Sequence, residues 1–118
     1  LVSFESEARY VDQFRKFRSP THVIEHVQWD KVVDKIRYND WGLAFVDQKP
    51  AESRVESIAL LTGADFVVVH DTESEGYGYE RVDGLFDYRY DYKKFRTWTS
   101  VLSNKYDVEN LIHNPLNK

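Results

Sequence analysis

Two four-residue runs, Leu43-Ala44-Phe45-Val46 and Phe66-Val67-Val68-Val69, are apolar at every position. A half-exposed strand alternates apolar with polar side chains. Unbroken runs therefore predict central strands of a parallel sheet, covered by helices on both faces. Their carboxyl ends carry acids, Asp47 and Asp71, at the edge where open α/β sheets place ligands. Between the runs, Pro50 suits a first helical turn and Gly63 a helix stop. Val55, Ile58, Ala59 and Thr62 keep one face of the helix that these two bracket. The stretch predicts a strand–helix–strand unit.

The flanking pattern extends this order. Leu1-Val2-Ser3-Phe4-Glu5 predicts a short strand ending in an acid, and Ser6 is placed to cap the next helix. Tyr10, Phe14 and Phe17 give that helix one apolar face before Ser19-Pro20. His22–Val27 predicts a second strand. Asp30 then caps a short helix with Val32, Val33 and Ile36 inward, stopping near Asn39. After Asp71 a polar loop with Gly76 and Gly78 reads as the most mobile segment, and Arg81–Gly84 as a helical turn. Phe86, Tyr88, Tyr90 and Tyr92 alternate with Asp87, Arg89, Asp91 and Lys93, the period of a strand near a sheet edge. The Lys94-Phe95-Arg96 connection to Thr97–Leu102 is short, so those two strands run antiparallel. A last helical turn covers Val108–Ile112.

Composition narrows the class. At 118 residues one domain is expected. A net charge of −4 argues against a nucleic-acid backbone as partner. No apolar run approaches the roughly 18 residues of a membrane-spanning helix, so a membrane partner is not expected. The chain has no cysteine, which excludes disulfide and thiolate chemistry and fits a cytoplasmic location. It also has no methionine and opens directly on a strand. Together these point to a piece cut or processed from a longer chain.

The predicted order, with acids at successive strand ends, resembles the later part of the class I S-adenosylmethionine-dependent methyltransferase fold. LVSFE stands as its second strand, THVIEHV as the third, WGLAFVD as the fourth and ADFVVVHDT as the fifth. FDYRYDY and TWTSVLS form the terminal hairpin. The resemblance covers essentially the whole chain. It implies a Rossmann-like α/β fold: a mostly parallel sheet, helices on both faces and an antiparallel C-terminal hairpin. The family's first strand and glycine-rich cofactor loop would precede Leu1. That strand belongs between LVSFE and WGLAFVD. Either those two pair directly, or a strand from another segment or chain, such as a second copy, fills the slot. An LVSFE strand antiparallel to Leu43–Asp47, or outside the sheet altogether, would sink the methyltransferase reading.

The resemblance also implies site residues. Glu5 would accept hydrogen bonds from the ribose hydroxyls of S-adenosylmethionine, with Gln28 and Trp29 at the adenine. Asp47 and Asp71 stand where related O-methyltransferases hold Mg²⁺, with Thr72 in the place of an asparagine. Without metal, Asp47 would position the substrate or the cofactor's amino group. His70, beside Asp71, is a candidate proton acceptor. The expected activity is methyl transfer to a hydroxyl of a small molecule or sugar, with Asp47, His70 and Asp71 as the catalytic group. Two alternatives stand beside it: a non-catalytic binding or scaffold form of the fold, and a receiver-like phosphoacceptor domain. The receiver reading rests on Asp47-x-x-Pro50, but Glu5 is followed by Ser6 rather than a second acid, and a hairpin stands where a Lys-Pro is needed.

Overall fold

A computed structural model describes residues 1–114. Contacts divide the chain into two compact units, Leu1–Tyr38 and Asn39–Lys118. In the first, strand β1 (Val2–Glu5) leads through helix α1 (Ala8–Phe14) and a 3₁₀ turn (Arg15–Phe17) to strand β2 (Val23–His26). The two strands pair in parallel, with Glu5 beside His26 at their carboxyl ends. Helix α2 (Trp29–Arg37) follows. Val11, Ile24, Val27, Val32 and Ile36 are buried. The expected apolar face of α1 is corrected here: Val11 is its buried residue, whereas Phe14 is 39% and Phe17 54% exposed. The aromatic spacing spans the change into the 3₁₀ turn, which breaks the α-helical phase that a spacing argument assumes.

The second unit holds strands β3 (Leu43–Val46), β4 (Phe66–His70), β5 (Tyr88–Tyr92) and β6 (Thr99–Ser103), with helices α3 (Glu52–Leu60) and α4 (Val108–His113). The sheet order is β3-β4-β6-β5. β3 and β4 are parallel, and β6 lies antiparallel between β4 and β5. The fold is thus α/β, but with a two-stranded parallel sheet and a four-stranded mixed one rather than a single, mostly parallel sheet. The direct pairing of β1 with β3, one of two expected arrangements, is part of neither sheet.

Register explains the burial. Ala44, Val67, Leu102 and Arg89 lie in one row across the sheet; Val46, Val69, Ser100 and Asp91 lie in the next on the same face. Ile58 of α3, with Tyr79 and Val82 from a 3₁₀ turn (Tyr79–Val82), closes against this face. Val67, Val69 and Ile58 are at most 1% exposed. On the opposite face α4 meets β5, its His113 edge-on to the Tyr90 ring at 5.6 Å. Leu43 and Phe45, on that same face, stay 65% and 66% exposed, so β3 is an edge strand of its sheet and not the doubly covered strand its run predicts.

Helix α3 ends at Leu60. Gly63 lies beyond it without the positive φ of a glycine stop, which only Gly78 and Gly84 adopt among the described glycines. Among the described residues no helix is long and apolar enough to cross a membrane.

Candidate functional site

The carboxyl ends of β3 and β4 bring Asp47, His70 and Asp71 together. Each can offer one ligand atom, all within 4.8 Å of one another. Parallel pairing makes this inevitable, since Val46 and Val69 are register partners and the residues beyond them leave the sheet side by side. Asp71 adopts φ +60, in the left-handed region that only a few non-glycine residues tolerate and that Asp tolerates better than most. Its Oδ1 lies 3.2 Å from His70 Nε2. His70 Nδ1 lies 3.3 Å from Thr99 Oγ1. Both imidazole nitrogens thus have a polar neighbour.

At the centre of the group is a residue that the sequence pattern did not single out. Arg54, on α3, has a side chain only 4% exposed. Its Nη2 lies 3.1 Å from Asp47 Oδ1 and its Nη1 3.4 Å from Asp71 Oδ2. Nε donates to the Gln48 carbonyl at 2.7 Å, and Nη1 to the His70 carbonyl and the Tyr79 hydroxyl, each at 3.2 Å. The Tyr79 hydroxyl in turn donates to the His70 carbonyl at 2.9 Å. The Tyr77 ring covers the guanidinium at 5.0 Å, and Tyr77 and Tyr79 meet edge-on. The glycine-bearing loop after Asp71 therefore packs onto the acids as two 3₁₀ turns, Glu75–Tyr77 and Tyr79–Val82. Burial disfavours the charged guanidinium, but the Tyr79 hydrogen bond and the fields of Tyr79 and Asp47 outweigh it, so the Arg54 pKa rises. Burial likewise pushes the Tyr79 hydroxyl above its ordinary range.

Arg54 bears directly on the metal expectation. Mg²⁺ takes oxygen ligands in a small octahedral shell. Here an oxygen of each carboxylate already faces a fixed cation, and the third donor within reach is an imidazole nitrogen. Thr72 Oγ1, the remaining expected ligand, is hydrogen-bonded to Ser100 Oγ at 2.8 Å, and Ser100 gives its one hydroxyl proton to Asp91 at 2.6 Å. The donor set does not fit Mg²⁺. The cavity beside Thr72 and Ser100, about 10 Å³, holds a water at most.

The first unit places its three candidates at one end of its sheet. Glu5 closes β1, while Gln28 caps α2 and Trp29 is its first residue, just past β2. Glu5 Oε1 accepts the backbone N–H groups of Ser6 at 2.8 Å and Glu7 at 2.9 Å. Glu5, and not Ser6, thus serves the amides at the start of α1, whose N-cap Glu7 makes no side-chain cap bond. Both lone pairs of Oε1 are used, and Oε2 retains two for a pair of neighbouring hydroxyls, so the carboxylate fits a ribose diol. Gln28 is exposed and Trp29 half-buried, which leaves the amide open to a ligand.

No protein-family model matches the chain, and neither a curated protein nor a solved structure matches it.

Proposed function

We propose that the chain serves S-adenosylmethionine-dependent methyl transfer to a hydroxyl of a small molecule or sugar, in the cytoplasm. The observation that carries this reading is strand order. A reversed strand, β6, sits between β4 and β5, with β3 parallel on the other side of β4. That is the order of the fourth, fifth, seventh and sixth strands of the class I fold, and β2-β1 repeats its third and second. The separate β1–β2 sheet counts against the reading.

The donor supplies a methyl group made electrophilic by its sulfonium. On this reading Glu5 Oε2 accepts the two ribose hydroxyls, Gln28 offers its amide to the adenine edge, and Trp29 packs against the ring. In the second unit Asp47, whose side chain is 42% exposed, accepts from the acceptor hydroxyl. His70, its Nδ1 3.3 Å from Thr99 Oγ1, is the candidate proton acceptor. The ion pairs that hold Asp47 and Asp71 to Arg54 favour a second reading, in which the chain binds the donor without catalysing transfer.

Calorimetry separates the possibilities. S-adenosylmethionine should bind the chain, and Glu5→Gln should weaken binding by about 1.5–3 kcal/mol, the worth of a hydrogen bond to a charged group. Binding without methyl transfer to any hydroxyl acceptor would select the second reading. Absence of binding, or an affinity that Glu5→Gln leaves unchanged, removes both.

A further inference from the structure

The chemistry at the ends of β3 and β4 turns on what neutralises two adjacent carboxylates. Arg54 Nη2 and Nη1 stand 3.1 Å from Asp47 Oδ1 and 3.4 Å from Asp71 Oδ2. An ion coordinated by both acids would sit about 2.0–2.1 Å from each oxygen if Mg²⁺, in the space that these nitrogens hold. The guanidinium is not free to swing aside. Its Nε is tied to the Gln48 carbonyl and its Nη1 to the His70 carbonyl, so the backbone at both strand ends fixes its plane. The Tyr79 hydroxyl and the Tyr77 ring close its remaining sides. Guanidinium also stays protonated at every pH at which a protein is folded. A divalent ion entering here would meet a fixed positive charge already paired with both carboxylates.

We infer that Arg54 is the resident cation of the Asp47–Asp71 pair and excludes divalent metal ions from it, so that whatever this edge does is metal-independent. The inference rests on reading this edge as the reaction site only for its last clause; the exclusion itself follows from the contacts. It assigns Arg54 as a positioning residue that sets the direction of both carboxylates.

The test is a titration of Mn²⁺ into the isotope-labelled full chain, followed by paramagnetic broadening in NMR spectra. In the wild type, the amides of Asp47 and Asp71 and the His70 ring should show no selective, saturable broadening. Arg54→Gln, which keeps hydrogen-bonding capacity without charge, should gain that broadening, and Arg54→Lys should stay silent. Selective broadening in the wild type overturns the inference whether or not either variant folds. A folded Arg54→Gln protein that still ignores Mn²⁺ also overturns it. No methyl donor enters the experiment. Failure here with donor binding intact therefore leaves the proposed function standing, and the reverse result leaves the cation assignment standing.

Discussion

Arg54 and Tyr79 show how much one polar pair can organise. The guanidinium binds the carbonyls of Gln48 and His70 as well as both acids, and the Tyr79 hydroxyl bridges it to the His70 carbonyl. Tyr79→Phe keeps the ring, which is 8% exposed, and removes only the hydroxyl. Arg54 Nη1 retains other acceptors, so the loss should be about 1 kcal/mol of folding stability, the worth of an ordinary hydrogen bond. Urea unfolding checks this, and equal midpoints for the two proteins would mean that the bridge contributes nothing. Arg54 was not legible as part of the site. In α3 the buried stripe runs Arg54, Ser57, Ile58, Leu61 together with Val55, whereas apolarity alone selects Val55, Ile58, Ala59 and Thr62. A charged residue on a helix normally marks the solvent side. The available signal was spacing, because Arg54 lies four residues before Ile58 and seven before Leu61.

Among elements, the strands were the legible part. Continuous apolar runs and the tyrosine alternation placed β3, β4 and β5, and the short Lys94-Phe95-Arg96 link required the antiparallel turn into β6. The alternation also separates two environments. Tyr90 meets α4, while Arg89 and Asp91 face the side covered by α3. There the Asp91 carboxylate, 23% exposed, accepts from Ser100 at 2.6 Å and from Arg89 Nε at 2.7 Å. Burial works against its charge, but the bonds from Ser100 and Arg89 prevail, so its pKa falls below the ordinary 3.8. A lowered folded-state value gives stability that is fully present above about 3.8 and is lost as pH falls through the folded value. Asp91→Asn should therefore be less stable by about 1–2 kcal/mol at neutral pH. That deficit should shrink in unfolding measurements carried below pH 3.8. A deficit that stays constant with pH would show that the carboxylate's charge is not what the sheet uses. In the polar loop after Asp71, Tyr77 and Tyr79 pack edge-on to one another, and the Tyr77 ring covers Arg54.

For the molecule as a whole, the chain order of strands and the acids at their ends were readable, and how the strands assemble was not. Periodicity reports which residues a strand buries, whereas the pairing of β1 with β2 and of β3 with β4 in separate sheets depends on contacts distant in sequence. The same limit applies to the site: Glu5, Asp47 and Asp71 announce themselves as strand-end acids, but the cation that faces two of them does not. The central claim is that Glu5, Gln28 and Trp29, at the strand end of the first unit, hold a methyl donor. It is tested most directly by following backbone amide NMR signals while S-adenosylhomocysteine, the demethylated product, is titrated into the full chain. The account predicts saturable shifts concentrated at Glu5–Glu7 and Gln28–Trp29. Shifts confined to other surfaces, or none at saturating ligand, would contradict it.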